Sequence, residues 1–260
     1  MRCVTRVTAR SDDNPAVLAA GTADVDFAVL SMSEREPNGQ DDAYLDWHLL
    51  DHLPEQYRID GLRLGQRWRS SDSCRAARAA SEPPYDRVDH VVGYLFGAAV
   101  DAALATFFDL GASLHRAGRM PLSLPRVEVT GWEVMGRVAA PRVLVGADVV
   151  PWRPHRGMYL IIESIAETAT GHVDELDALA GIDGVAGVWR YRNGGARHQR
   201  LRPFDGAHLT ICYLDGEPTA VAAALAAPLR ARWREKGITP LLAAPFDVVL
   251  PFDHTPGRCT

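Results

Sequence analysis

Two histidines stand four positions apart in the segment DWHLLDHLPEQY, and an aspartate lies between them. If this segment is helical, His48 and His52 share one face, because residues four apart are neighbours on a helix. Such a pair can transfer protons near neutrality, since an unperturbed imidazole has a pKa of about 6.5. The pair can also bind a metal ion, or it can end a helix, where exposed carbonyl groups favour a cation. The sequence leaves these three interpretations open.

A zinc site is the most specific of the three. The run HLLDH differs from the inverted zinc motif HxxEH in Asp51, which stands in place of a glutamate. Aspartate is one methylene shorter, and Pro54 follows closely. A catalytic zinc also needs a third protein ligand, for which the best candidate is His90. We therefore predict no resident metal ion and no cofactor.

The neighbouring predicted strands supply aromatic and polar side chains for a pocket. Alternation along DGLRLGQRWR places Arg67 and Trp68 on opposite faces of a strand, and His90 and Tyr94 share a face of another. A cavity with aromatic walls suits a mostly apolar organic molecule. The alternatives are core packing for the aromatic residues and an ion pair for the arginine.

We predict His52 and His48 as catalytic residues. The residues that we predict to bind the substrate are Trp47, Tyr57, Arg67, Trp68, His90, Tyr94 and Trp132.

The composition excludes several classes of function. The 260 residues include 28 Lys plus Arg against 33 Asp plus Glu, a net charge of -5, with no basic block that would indicate a nucleic-acid partner. Lys236 is the single lysine, which argues against a Walker-type ATPase and a Schiff-base enzyme. GxGxxG and GxSxG motifs are absent. Without an apolar segment of roughly 20 residues or paired cysteines, we expect a cytoplasmic protein with no membrane partner.

Three segments of the first half recur in the same order in the second. IDGLRLGQRWR from residue 59 returns as IDGVAGVWRYR from residue 182, GYLFG from residue 93 as CYLDG from residue 212, and AVLSMSE from residue 28 as IIESIAE from residue 161. Apolar periodicity predicts strand, helix, strand, strand, helix, strand in each half, the ferredoxin-like order.

We therefore predict an α+β fold of two tandem ferredoxin-like (βαββαβ) repeats that form an α+β barrel, because the second copy can cover the sheet face of the first. The predicted organisation is a flexible tail over 1–24, a first repeat over 25–137, a linker or crossing strand over 138–157, and a second repeat over 158–254. One chain supplies both halves, so a monomer and a homodimer are both compatible with the sequence.

Trp47, then His52 and Pro54, then IDGLRLGQRW, resemble the EthD-like branch of the dimeric α+β barrel superfamily. In that branch an aromatic residue and a histidine followed by proline end the first helix, and a turn leads into a strand with arginine and an aromatic residue. The second half keeps the strand, but its helix GHVDELDALAG lacks the tryptophan and the histidine. The resemblance thus implies the architecture for both halves and a site only in the first. The superfamily includes monooxygenases, polyketide cyclases, lyases and haem proteins, so no single reaction follows.

The function that we expect is binding of a small aromatic or polyketide-like molecule in a chamber enclosed by the two halves. His52, assisted by His48, would transfer a proton in a reaction without a nucleotide cofactor: cyclisation, dehydration, isomerisation or oxygenation. One alternative is a non-catalytic ligand-binding or stress-linked accessory protein with the same cavity. Another is a haem-binding protein with a histidine as axial ligand.

Overall fold

The structure is a computed structural model that describes residues 24–165 and 173–250. Residues 1–23 of the predicted tail and residues 251–254 of the predicted second repeat lie outside the described residues. The part of the chain that is described contains no helix that is long and apolar enough to cross a membrane.

The predicted order of elements is present in each half. The first half contains β1 (Phe27–Ser33), α1 (Asp41–Trp47, His48–His52 and Leu53–Gln56), β2 (Leu62–Arg69), α2 (Asp72–Ala76), β3 (Ala80–Ser81), β4 (His90–Phe96), α3 (Val100–Arg116) and β5 (Arg126–Ala139). The second half contains β6 (Gly157–Ser164), α4 (Val173–Ala180), β7 (Val185–Asn193), β8 (Ala207–Leu214), α5 (Pro218–Lys236) and β9 (Thr239–Val248). Short 3₁₀ helices cover Tyr85–Arg87 and Ala147–Trp152.

The strands of the described chain form one antiparallel sheet that closes on itself. Their order is β2-β4-β1-β5-β7-β8-β6-β9-β3, and β2 also pairs with β9. Eight strands therefore make a barrel, and the two-residue β3 is added outside it on β9. The predicted α+β barrel is confirmed.

The inside of the barrel is packed with side chains. Trp132, Trp189, Tyr191, Tyr213 and Phe246 are almost fully buried in one core cluster formed by the inward faces of the strands. The expectation of a chamber enclosed by the two halves is wrong, because these large aromatic residues occupy that space. Two further clusters lie between the outer face of the sheet and the helices, one in each half.

The faces of the strands test the three pairs of recurring segments. In the pair that starts at residues 59 and 182, the aligned Trp68 and Tyr191 both point into the barrel. In the pair that starts at residues 93 and 212, the aligned Tyr94 and Tyr213 lie on opposite faces of the sheet. The first residues of the pair that starts at 28 and 161 also lie on opposite faces. A shift of one residue exchanges the faces of a strand, so only the first pair agrees with the structure in register. The order of elements recurs, and a duplication of the sequence stays a prediction.

Residues 138–157, predicted as a linker or a crossing strand, begin with the end of β5 at Ala139 and include the 3₁₀ helix Ala147–Trp152. Before this point β5 pairs with β1 of the first half and then with β7 of the second. The apolar pattern predicts the last strand over Phe246–Leu250, but the strand begins at Thr239, seven residues earlier. Pro240 and Pro245 obscure the strand pattern there, since proline cannot donate to the ladder.

Candidate functional site

Helix α1 contains a five-residue π-helical turn, His48–His52, between two α-helical segments. The amide of Leu53 donates to the carbonyl of His48, and the next residue, Pro54, has no amide hydrogen to donate. A helix is disturbed at such a proline, and the wider turn lies directly before it. Because Gly65 on β2 has no side chain, Leu53 packs against the strand at that point. Single π turns inside helices occur frequently at functional sites.

The two histidines of this turn are buried and hydrogen bonded. The Nε2 atom of His48 lies 3.0 Å from the Tyr94 hydroxyl, and that of His52 lies 2.9 Å from the Gln56 side-chain amide. Trp47 stacks on His52 with 5.1 Å between ring centroids. The Nδ1 atoms of both histidines are buried and have no hydrogen-bond partner among the described residues. These rings are therefore fixed at one nitrogen and unsatisfied at the other.

Burial keeps both imidazoles neutral at pH 7. Loss of solvation, followed by the charge of Arg67, lowers the pKa of His52 to about 4 and the pKa of His48 well below its usual value. Burial raises the pKa of Tyr94, so its phenol stays protonated. The neutral rings can act as proton acceptors, which a protonated imidazole cannot.

Arg67 is a buried guanidinium on the outer face of β2. Its Nη2 donates to the Tyr44 hydroxyl at 3.1 Å, and the group lies 4.8 Å from the centroid of the Tyr44 ring. Its Nε and Nη1 have no partner among the described residues. The matching Arg190 of the second half instead forms an ion pair with Glu175 at 2.8 Å. The predicted alternative of an ion pair is thus observed for Arg190, while the contacts of Arg67 among the described residues are with a neutral tyrosine.

A cavity of about 450 Å³ lies between the outer face of the first-half sheet and helices α1 and α3. Its α1 side carries Tyr44, Trp47, His48, His52 and Gln56. The other lining residues come from six regions of the chain: strands β1, β4 and β5, helix α3, the loop before β5, and the loop that contains Arg200. No aspartate or glutamate lines it within the described chain. The cavity combines aromatic and aliphatic walls with neutral proton acceptors.

The structure brings together Trp47, His48, His52 and Tyr94 of the predicted site residues. Arg67 lies behind Tyr44, outside the lining. The hydroxyl of Tyr57 bonds to the backbone of Gly65, and its ring is half exposed. His90 shares the face of Tyr94, but it binds Asp41 at 2.6 Å and lies away from the cavity.

The assignment of Trp68 and Trp132 to the pocket is corrected. Both point into the barrel core, on the face of the sheet opposite the histidines. The indole nitrogen of Trp68 donates to Nε2 of His155 at 3.3 Å, so the polar atom of this side chain has its hydrogen-bond partner on the inner side of the sheet. Strand alternation already separates Trp68 from Arg67, which made the two assignments incompatible.

Several lining residues were not predicted from the sequence. Gln56 stands four positions after His52, and helical spacing alone could have identified it. Phe107 and Phe108 belong to α3, where they pack against each other at 5.2 Å between ring centroids. No local signal places them near residues 47–56, because that proximity arises from the sheet to which both helices dock.

Within the described residues, no three His, Cys, Asp or Glu side chains are grouped as metal ligands would be. Asp51 of the HLLDH run is exposed, and the third ligand considered, His90, is paired with Asp41. The site is therefore a set of hydrogen-bonded aromatic and imidazole rings.

No family model and no curated protein match the chain. Its fold is similar to that of an anthrone oxidase-like protein, with a TM-score of 0.56 and 13% identity over 87% of this chain and 92% of that one. A candidate monooxygenase from Fusobacterium nucleatum gives a TM-score of 0.54 and 8% identity over 87% and 94%. A candidate chlorite dismutase gives 0.53 and 11% over 87% and 96%. At these identities the comparisons define the class of fold, a ferredoxin-like α+β barrel.

Proposed function

We propose that this chain binds a small aromatic or polyketide-like molecule in the α1–α3 cavity and that an imidazole of the π turn accepts a proton from it. The observation that supports this proposal best is the pair of Nδ1 atoms on His48 and His52, which have no partner in the described part of the chain. They lie beside a cavity that no carboxylate of that part lines. A buried polar atom without a partner destabilises the fold by about 1–3 kcal/mol. A phenol or enol hydroxyl group of a ligand, reached by a small rotation of the ring towards the cavity, would supply the missing partner.

His52 is the proposed proton acceptor. If Nε2 carries the hydrogen and donates it to the Gln56 oxygen, Nδ1 has a free lone pair. The 2.9 Å contact allows this tautomer once the side-chain amide of Gln56 is oriented with its oxygen towards the ring. Trp47 holds the ring by stacking, and the neighbouring Arg67 stabilises the anion formed when a proton leaves the ligand. His48 and Tyr94 form a second hydrogen-bonded pair that can orient the substrate.

The reaction class that fits these groups is proton abstraction from an acidic aromatic or enolic molecule, followed by isomerisation, cyclisation, dehydration or cofactor-independent oxygenation. An anthrone oxidase-like protein and a candidate monooxygenase among the similar folds agree with the last of these. Membership of the EthD-like branch is part of the same proposal, and it rests on Trp47, His52 and Pro54. The proposal also includes the division into repeats at 25–137 and 158–254 and a cytoplasmic location. It includes a monomeric or homodimeric state as well, which light scattering would measure.

The experiment is a panel of phenols, anthrones and linear polyketide mimics, incubated aerobically with the protein and followed by mass spectrometry. His52→Gln should abolish turnover and keep binding within a few-fold, because the ring is replaced by a neutral side chain of similar polarity. His155→Gln, outside the cavity lining, is the matched control. Turnover that persists in folded His52→Gln would contradict the assigned role.

A non-catalytic ligand-binding protein is the main alternative, and the same panel separates the two. It predicts that bound molecules are recovered unchanged and that the histidine variants alter affinity alone. The geometry gives less support to haem binding, because the Nε2 atom of each histidine is already hydrogen bonded. If addition of haem produces a Soret band in wild type but not in His52→Gln, haem binding would be supported instead.

A further inference from the structure

We propose that the ligand of the α1–α3 cavity is an aromatic carboxylate, whose charged group is held at the cavity mouth by Arg116, Arg126 and Arg200. This inference rests on the proposed function, because it requires that the cavity binds an aromatic molecule. It adds the charge of the ligand and the orientation in which it enters.

The cavity lining changes in polarity from one end to the other. The three arginines come from the last turn of α3, the first residue of β5 and the loop after β7, and all three are exposed. His48 and Tyr94 are buried. The exposed guanidinium groups therefore mark the mouth, and the neutral hydrogen-bonded rings mark the floor.

Among the described residues, the positive charge at the mouth has no acidic counterpart in the lining. None of the three arginines forms an ion pair within the described chain, and no aspartate or glutamate lines the cavity there. Arg119, close to Arg116 in sequence, is by contrast paired with Glu55. The chain as a whole has a net charge of -5. A local excess of three unneutralised cations in an acidic protein favours an anionic ligand.

Aromatic residues connect the mouth to the floor. The guanidinium of Arg200 lies 5.8 Å from the centroid of the Phe108 ring, and His198 stacks on the same ring at 4.2 Å. Phe107 continues this wall to Tyr94, at 4.8 Å between ring centroids. An aromatic body that lies along this wall would place one end at the arginines and the other at the histidines.

A carboxylate matches the mouth because the planar fork of a guanidinium donates two parallel hydrogen bonds to its two oxygens. The volume of about 450 Å³ suits a molecule of two or three fused rings. We therefore expect a fused-ring carboxylic acid with a phenol or enol at the far end, where His52 accepts the proton.

The test compares three probes of equal size by isothermal titration calorimetry: 2-naphthoate, 2-naphthamide and 2-naphthylmethylammonium. We expect the carboxylate to bind about tenfold more tightly than the amide, which is about 1.4 kcal/mol, and the ammonium to bind more weakly than both. The preference should shrink as salt rises from 0.05 to 0.5 M, since the arginines are exposed. The triple variant Arg116→Gln, Arg126→Gln and Arg200→Gln should remove the preference while it keeps affinity for the amide.

The matched control removes three exposed arginines elsewhere: Arg156→Gln, Arg230→Gln and Arg234→Gln. This variant loses the same total charge, and it should retain the tenfold preference. If wild type binds the carboxylate and the amide equally, and Phe107→Ala weakens both, the carboxylate proposal is overturned and the aromatic cavity stands. If the control lowers the preference as much as the mouth variant, long-range charge explains it and the proposed contacts are wrong. If none of the probes binds, the proposed function and this inference both fail.

Discussion

Burial of His52 predicts that the fold loses stability when the pH falls from about 6.5 towards 4. The ring is 9% exposed, and desolvation together with Arg67 lowers its pKa to about 4. In the unfolded chain the same imidazole has a pKa of about 6.5, so between these values the unfolded state binds the proton more readily. The folded pKa is the lower one, and the contribution to stability is therefore complete above about pH 6.5 and is lost as the pH falls through the folded pKa.

The size of this effect follows from the two pKa values. The difference between about 6.5 and about 4, at 1.36 kcal/mol for each pH unit, gives about 3 kcal/mol. About 2.4 kcal/mol of it is lost between pH 7 and pH 4.5. The buried His48 adds to the loss in the same direction. This is a large share of the 5–15 kcal/mol by which a folded domain is typically stable.

Guanidinium chloride unfolding at pH 7.0, 6.0, 5.0 and 4.5 measures the loss directly. His52→Gln does not titrate, so its free energy of unfolding should fall by about 2 kcal/mol less than that of wild type over this range. His115→Gln, an exposed histidine of α3, is the matched control and should follow wild type. An NMR titration of the His52 ring should give a midpoint near pH 4. A midpoint near 6.5, or equal losses in wild type and His52→Gln, would refute the buried, neutral state.

Three other predictions concern the neighbours of this ring and the barrel interior. Arg67→Met removes a positive charge that lowers the pKa of His52, so the NMR midpoint should move upward; an unchanged midpoint would show that the charge has no influence there. Tyr94→Phe removes the hydroxyl that contacts His48, and should lower the free energy of unfolding by about 1 kcal/mol in a denaturant titration. Trp132→Ala should destabilise the protein by about 3–5 kcal/mol but leave the affinity for naphthalene probes unchanged, because this side chain lies inside the barrel. A large loss of affinity would place the ligand in the barrel instead.

The sequence predicts the elements well because each strand and helix carries its own periodicity. Apolar periodicity predicts a strand over Leu62–Arg69 and a helix over Val173–Ala180, and both ranges agree with the structure. The position of the cavity is not a local property. Alternation shows that a strand has two apolar faces, but not that the inner face is filled by facing tryptophans and tyrosines while a gap remains under the helices. That outcome depends on side-chain volumes summed over eight strands.

Some residues of the candidate site are close together in the sequence, and others are brought together only by the fold. Trp47, His48 and His52 come from one helical turn, so spacing places them together. Tyr94 was found because β4 presents it on the same face as His90. The phenylalanines of α3 and the arginines of the mouth come from segments 50 to 150 residues away, and only the closed sheet brings them to α1. A π turn also leaves no pattern of its own in the sequence beyond the proline that follows it.

The equivalent arginines of the two halves, Arg67 and Arg190, have different partners, and this difference supports the proposal of a site in the first half. In the second half Glu175 neutralises Arg190, and it also binds Arg232. Arg67 contacts the Tyr44 hydroxyl, and its charge adds to the effect of burial, which is the larger cause, in lowering the pKa of His48 and His52. A buried charge such as Arg67, which has no counter-ion among the described residues, is unfavourable, and an anion bound in the neighbouring cavity would reduce this cost. Burial and this guanidinium together keep the imidazole of His52 neutral, and in the proposed reaction the guanidinium would stabilise the negative charge that remains on the ligand after proton transfer.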